Sequence, residues 1–312
     1  MNEFILHHYP ASPYAEKIRL MLGFKGLRWK SVIIPVMMPK PDVIALTGGY
    51  RRTPLLQIGA DVYCDTARIA LELERRAPSP TLNPFGDTFA VQAMSSLAES
   101  ALFNTAVPIA FQPDNIKIFF PDAKPDFLPS FGADRVAMRK GGTVRRGPLG
   151  ESKSVFVYLA QKLENQFADG RVFLLGNAPC TADFSVYHTV WPVGRVPALA
   201  ALLKPMPRLI AWMARMQAIG HGKSTTLSSS QALEISKAAK PAPIKGAQAY
   251  ETDGAALGDT VEVMPVDYAL DPVRGELLNA TTDEIAVRRS DPRAGTVVVH
   301  FPRMGFQLQK AG

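Results

Sequence analysis

The chain has 312 residues, of which 47% are hydrophobic and 20% charged, enough apolar content for substantial cores and, at this length, for more than one domain. That composition excludes a chain that is disordered overall. The net charge of +7 comes from dispersed basic residues with no nucleic-acid-binding motif, so a basic surface is expected and a DNA or RNA partner is not. Two cysteines, Cys64 and Cys180, stand outside any Cys-x-x-Cys pair, and His7, His8, His188, His221 and His300 are scattered. No metal site is therefore expected, and a reduced, cytoplasmic setting fits. No apolar run approaches the roughly 18 to 20 residues of a membrane span, no signal peptide is visible, and no membrane partner is expected.

Residues 4–6 read as a short strand. The segment from Tyr9 to Arg19 turns that strand into a helix, with Ala15, Ile18, Met21 and Leu22 at three- and four-residue spacing. Ser12 is placed to cap the helix, and Pro13 suits its first position, where the missing N–H would have no intrahelical partner. A serine there reads first as a helix cap, with a functional hydroxyl as the alternative. Residues 28–34 form a second strand, reached by a parallel crossover. Residues 35–49 read as a loop with one helical turn. Arg51, Arg52, Thr53 and Pro54 then lead into a strand at 55–58, a turn at Gly59, Ala60 and Asp61, and a strand at 62–64, after which Asp65 and Thr66 open a helix running to residue 76.

This order resembles the N-terminal, thioredoxin-like domain of the glutathione transferases. The resemblance implies that Ser12 contacts the glutathione sulfur, that Pro54 is cis and follows Thr53, whose backbone binds the cysteinyl unit, and that Asp65 with Thr66 receives the γ-glutamyl end. Arg52 is the candidate for the glycyl carboxylate; the alternative is a solvated surface arginine. Ser12 stands where omega-type members and glutaredoxins carry a reactive cysteine, which argues against deglutathionylation. His8 falls near the phenol of the tyrosine-type enzymes, with Tyr9 beside it.

Pro78, Pro80 and Pro84 discourage regular structure and mark a boundary. Residues 88–111 fit a long helix interrupted near Pro108; by resemblance it begins an all-helical second domain and lies along the cleft and a homodimer interface. Residues 112–150 are less regular, with an apolar patch at Ile116, Ile118, Phe119 and Phe120 and a basic run at 139–147. This stretch reads as a lid over the cleft or as a surface insertion, and its basic pairs as solvated. Helical pattern resumes at 151–167. Residues 179–184 resemble the capping box of the sixth transferase helix, with Cys180 in place of the hydroxyl, which predicts a shifted or weakened cap. A closing helix spans 205–219, and the resemblance covers residues 2–216.

Residues 220–258 look like a linker with one short helix at 231–239. Strand-like segments follow at 261–266, 275–278, 284–288, 296–301 and 305–309, predicting a compact antiparallel sheet or small barrel that packs on the body or binds a ligand or partner. The predicted plan is a multidomain α/β, all-α and β chain: a thioredoxin-like domain at 1–78, a helical domain at 86–222, a linker at 223–258 and a small β domain at 259–312. The resemblance implies a homodimeric transferase-like enzyme that adds the glutathione thiolate to an electrophilic, largely apolar small molecule. Tyr14, Phe103, Phe111 and the Phe119 and Phe120 patch are candidates for the second-substrate cleft. Two other readings stay open: a non-catalytic binding protein working through its C-terminal sheet, and a glutathione-dependent isomerase or ether-cleaving lyase.

Overall fold

The structure, a computed structural model, describes residues 3–312, so residue 2, from which the resemblance runs, lies outside it. β1 (Phe4–His8), α1 (Pro13–Phe24) and β2 (Arg28–Ile33) form the crossover, with β1 and β2 parallel. The next segment carries α2 (Pro41–Thr47), two turns rather than one, stopped by Gly48 at φ 85°. β3 (Leu55–Ile58) and β4 (Asp61–Cys64) make the antiparallel hairpin, and α3 (Thr66–Arg76) completes the thioredoxin-like unit.

In the helical half, α4 (Phe89–Leu97), a π-helical turn (Ala98–Leu102) and α5 (Phe103–Ala110) follow one another without a break. The irregularity thus falls at Ala98–Leu102, while Pro108 sits inside α5, contrary to the expected interruption. α6 (Ile116–Phe119) and α7 (Phe127–Arg139) occupy the stretch predicted to be irregular. α7 contains Pro129 and Gly132 and buries only Met138, so no apolar stripe announces it. α8 (Leu149–Gln166), α9 (Thr181–Arg195), α10 (Pro197–Ala200) and α11 (Pro207–Ala218) complete this half. The cap of α9 stays at Cys180. Buried Asp183 accepts from the backbone N–H groups of Cys180 (3.0 Å) and Leu174 (2.9 Å), from the Trp212 indole (2.9 Å) and from the Cys180 thiol (3.3 Å). Thr181 turns away, its hydroxyl bonding Asn83 and the Leu82 carbonyl.

Beyond α11, the segment read as a linker holds β5 (Lys223–Thr226) as well as the expected helix, α12 (Ser229–Ala238). β5 is exposed throughout and pairs in parallel with β2, so backbone hydrogen bonds rather than an apolar face place it. The five last strands, β6 (Thr260–Pro265), β7 (Val273–Ala280), β8 (Glu284–Asp291), β9 (Gly295–Pro302) and β10 (Phe306–Lys310), are antiparallel neighbours as predicted. They form an open sheet, not a barrel, and it does not stand alone. β9 pairs in parallel with β4, giving one ten-stranded sheet in the order β10-β6-β7-β8-β9-β4-β3-β1-β2-β5. The pairing covers β4, a wholly buried strand that would otherwise be an open edge. One core joins Ile5, Leu55 and Val62 to Val287, Val299 and Phe301, with Ala232 and Leu233 of α12 packed on it; a second core lies between the sheet and the helical half.

His300 pins the seam. Its Nε2 meets Asp61 (3.0 Å) and its Nδ1 meets Glu284 (2.5 Å), while its ring stacks on Tyr63 at 4.5 Å. Burial opposes charging the imidazole, but hydrogen bonds to Asp61 and Glu284, and their charges, outweigh it and raise His300 above its usual value. Glu284 is likewise disfavoured by burial yet lowered on balance by His300 and Arg68. The histidine contribution is complete below about pH 6.5 and is lost as pH rises through the raised folded value; the Glu284 contribution is present above about pH 4.5 and is lost as pH falls through its lowered value. His300→Gln is therefore expected to destabilise the protein by about 3 kcal/mol between those limits and by less toward alkaline pH. Urea unfolding across pH measures this; a difference that stays constant into alkaline solution would mean the seam histidine is neutral.

Candidate active site

Ser12 ends the turn after β1. Its N–H donates to the Tyr9 carbonyl (3.1 Å), and its Oγ accepts from the Ala15 N–H (3.2 Å), so the residue caps α1. It also lines a cavity of about 480 Å³ between the thioredoxin-like unit and the helical half. The two sequence readings of Ser12 are therefore compatible: the oxygen accepts one bond as a cap and still has its own proton to donate. His8 does not face this space. It packs on Trp29 and bonds Ser31 and Arg19, and burial, then the Arg19 charge, lower it to about 3. Tyr9 does line the cavity, its hydroxyl accepting from Arg135 at 3.4 Å.

The Thr53–Pro54 peptide is cis. Thr53, Pro54, Asp65 and Thr66 line an adjoining pocket of about 110 Å³, which shares Tyr14, Arg52, Thr53 and Glu99 with the larger one. Asp65 is the N-cap of α3, held at φ 71° with its carboxylate accepting from the Ala67 N–H (2.9 Å). The Thr66 hydroxyl accepts from Lys17 (3.1 Å), a buried cation that also pairs with Glu99 (2.5 Å). Burial would raise Glu99, but Lys17 above all lowers it on balance; Asp65 is raised by burial and by the nearby Glu99 charge. The pocket is thus lined by the carboxylates of Asp65, Glu99 and Asp267 and by Arg52, with Lys17 buried behind Thr66 and Glu99.

Tyr14 and Phe103, with ring centroids 4.8 Å apart, line the larger cavity together with Phe111 and Phe120. Phe119 does not; it is buried and stacks on Phe111 at 4.2 Å. Burial pushes the Tyr14 phenol well above its usual value, so it stays protonated.

Several residues of the site were not found from sequence. Lys17, Lys40 and Glu99 carry no local motif. Lys40 is buried and donates to the Arg51 carbonyl and the Thr53 hydroxyl, both at 3.2 Å. Asp267 and Tyr268, in the loop between β6 and β7, lie over both pockets. Arg52, expected either for a carboxylate ligand or in solvent, is instead bonded to the Asp267 carboxylate and the Tyr268 carbonyl, its guanidinium 3.8 Å over the Tyr268 ring. The Asp267 carbonyl in turn accepts from Thr143 (2.8 Å) and Val144 (3.3 Å). A Cβ on Gly142 would lie 2.0 Å from that same oxygen, so glycine is required there for the close approach. The basic run at 139–147 is thereby folded onto the cavity, and Arg139 and Arg146 face it.

A thioredoxin-like unit that presents a helix-capping serine, a cis-proline and an acid–hydroxyl helix start to an all-helical partner defines the transferase class of fold. Residues 6–81 match the family "Glutathione S-transferase, N-terminal domain" and residues 159–215 the family "Glutathione S-transferase, C-terminal domain". The structure of a GST-like protein from Pseudomonas syringae is 42% identical, with all of both chains covered and a TM-score of 0.83. A glutathione S-transferase from Rhodospirillum rubrum is 18% identical over 69% of this chain and 88% of its own (TM-score 0.51), and the β-etherase LigF from Sphingobium is 16% identical over 69% and 95% (TM-score 0.50). These two share the fold alone. No curated protein matches. The chain belongs to the glutathione transferase superfamily, and the full coverage of the P. syringae protein extends the match through the C-terminal strands.

Asp267→Ala removes the anchor of Arg52 from a partly exposed position and is expected to lower stability by only about 1 kcal/mol. It should nonetheless speed tryptic cleavage after Arg139, Lys140, Arg145 and Arg146. Cleavage at the wild-type rate would show that the Asp267–Arg52 pair is not what fixes the loop against this segment.

Proposed function

We propose that the protein binds glutathione across the two pockets and transfers its thiolate to an electrophile in the larger one. The observation that carries this reading is that Ser12, Thr53, and Asp65 with Thr66 all border the two adjoining pockets. The γ-glutamyl ammonium meets Asp65 and Glu99, whose mutual repulsion a cation between them relieves. The γ-glutamyl carboxylate meets the Thr66 N–H at the start of α3. The cysteinyl backbone pairs with the Thr53 backbone as an added strand does with a sheet edge. Arg52 is engaged by Asp267, so Lys40, beside Thr53, receives the glycyl carboxylate, and Arg52 acts from the Asp65 side.

A thiol of ordinary pKa near 8.5 is mostly protonated at neutral pH. Ser12 lowers it by donating a hydrogen bond from its hydroxyl to the sulfur anion, reinforced by the positive end of α1. The thiolate pair then forms a C–S bond at the electrophilic carbon, and the leaving group departs with the electrons of the bond that breaks. Pro10, Ala11 and Pro13 surround Ser12 with no Gly-x-Ser-x-Gly elbow, so the serine stabilises and does not attack.

Calorimetric titration with glutathione tests the first step; no heat at millimolar ligand rejects it. Ser12→Ala is expected to raise the pKa of bound glutathione by about one to two units in an ultraviolet thiolate titration. An unchanged titration would remove Ser12 from this role. Product analysis separates transfer from isomerisation or ether cleavage, which would share the sulfur site.

Lys40 offers an independent check. Burial, then repulsion from Arg135, lowers it to about 7. A carboxylate beside it favours the protonated form, so affinity for S-methylglutathione, which has no titrating thiol, should be greatest below pH 7 and fall several-fold above it. Lys40→Met should weaken binding and flatten the profile. A pH slope that survives this substitution would assign the titration to another group.

A further inference from the structure

The charges on the wall of the larger cavity are unevenly matched. Arg51 and Arg135 both pair with Asp134, and Arg52 pairs with Asp267. Among the described residues, Lys40, Arg139 and Arg146 face the same space with no carboxylate partner. Arg135 crowds all three, and Arg139 crowds Arg146. Arg146 is exposed as a residue, yet desolvation of its head group, then Arg139 and Arg135, bring it down to about 10; Arg139 is lowered by desolvation and by Arg135. Solvated surface arginines do not repel one another into a cavity. Cations gathered on a partly apolar wall are unfavourable until an anion joins them.

Glutathione, bound as proposed above, does not supply that anion. Its carboxylates are met by Thr66 and Lys40, and neither Arg139 nor Arg146 lines the smaller pocket that holds Asp65 and Thr66. What remains is a pair of guanidinium forks in the larger cavity, whose wall also carries Phe120 and Phe131. Guanidinium forks match a planar carboxylate better than any other common group. The cavity is therefore not the plain apolar cleft expected for a neutral electrophile.

We propose that the second substrate carries a carboxylate or equivalent oxyanion, which Arg139 and Arg146 hold while its apolar or aromatic body lies against Phe120 and Phe131 with the electrophilic carbon toward Ser12. The inference rests on the transferase reading only for the identity of the nucleophile. The anion site itself rests on the wall. The backbone carbonyl of Asp267 holds Thr143 and Val144 within the segment that bears both arginines.

The test uses the full chain and two probes that differ only in the anion: 3,5-dinitrobenzoate and 1,3-dinitrobenzene, titrated by calorimetry. Wild-type protein is expected to bind the acid at least about tenfold more tightly than the neutral ring at low salt. That preference should shrink in about 0.5 M salt. Arg139→Gln with Arg146→Gln should bring it to within about twofold, whereas Arg139→Lys with Arg146→Lys should retain part of it. Equal binding of the two probes by the wild type, or a preference that the glutamine pair keeps, overturns the proposal. Should the glutamine pair fail to fold, the salt titration of the wild type decides, and a preference insensitive to salt overturns it. In turnover, 4-chloro-3,5-dinitrobenzoate and 1-chloro-2,6-dinitrobenzene present the same reacting carbon. The glutathione thiolate forms the C–S bond there and chloride leaves with the C–Cl pair, so the acid should show the higher kcat/KM relative to its uncatalysed rate. If glutathione fails to bind but the acid preference and its loss persist, the transferase reading falls and the anion site stands. If glutathione binds and the preference is missing, the reverse holds.

Discussion

Parallel pairing of β9 with β4 is the constraint on which the rest of this structure depends. Three register pairs, Asp61 with Val298, Val62 with Val299 and Tyr63 with His300, fuse the last strands to the thioredoxin-like sheet. The buried contacts of Asp61 and Glu284 with His300 then fix that register from the side. Once β9 is set, the antiparallel strands beside it have one place to go, and the loop between β6 and β7 is carried over the pocket that Asp65 and Thr66 border. A short buried strand that would have been an edge becomes the mount for a roof.

That roof changes the electrostatics beneath it. Arg52, which would be free to meet a ligand, has a carboxylate, a carbonyl and an aromatic face already in place. Lys40 then stands as the available cation beside Thr53, and the polar end of the pocket is set by Asp65, Thr66, Glu99 and Lys17. The π turn at Ala98–Leu102 contains Glu99, and such turns recur where a helix must aim a side chain into a site.

How much of this was legible in the sequence depended on how local the chemistry is. Ser12 before Pro13, Thr53 before Pro54 and Asp65 before Thr66 are turn and cap signatures, each set by neighbours a few residues away, and each borders one of the two adjoining pockets. Glu99 and Lys17 meet across 82 residues and Arg52 and Asp267 across 215, distances at which no turn chemistry speaks. α7 escaped because one buried methionine makes no periodicity, and β5 because all four of its residues are exposed. The strands after residue 258 were readable from alternation, but their fusion with β4 was not. A parallel neighbour contributes backbone groups, and those are the same in every sequence. The basic residues at 139–147 were read as solvated for the same reason: what turns them inward is a carbonyl more than a hundred residues away.

The seam also sets an order of assembly. Residues 4–76 hold every backbone element of the thioredoxin-like unit, so this part can take shape while the chain is still being made. Closure over the pocket must wait until Gly295–Pro302 has been made. Until then β4 is an unsheltered strand and Arg52 a solitary cation, so a polypeptide cut short before β9 would be left with an open mouth and a sticky border.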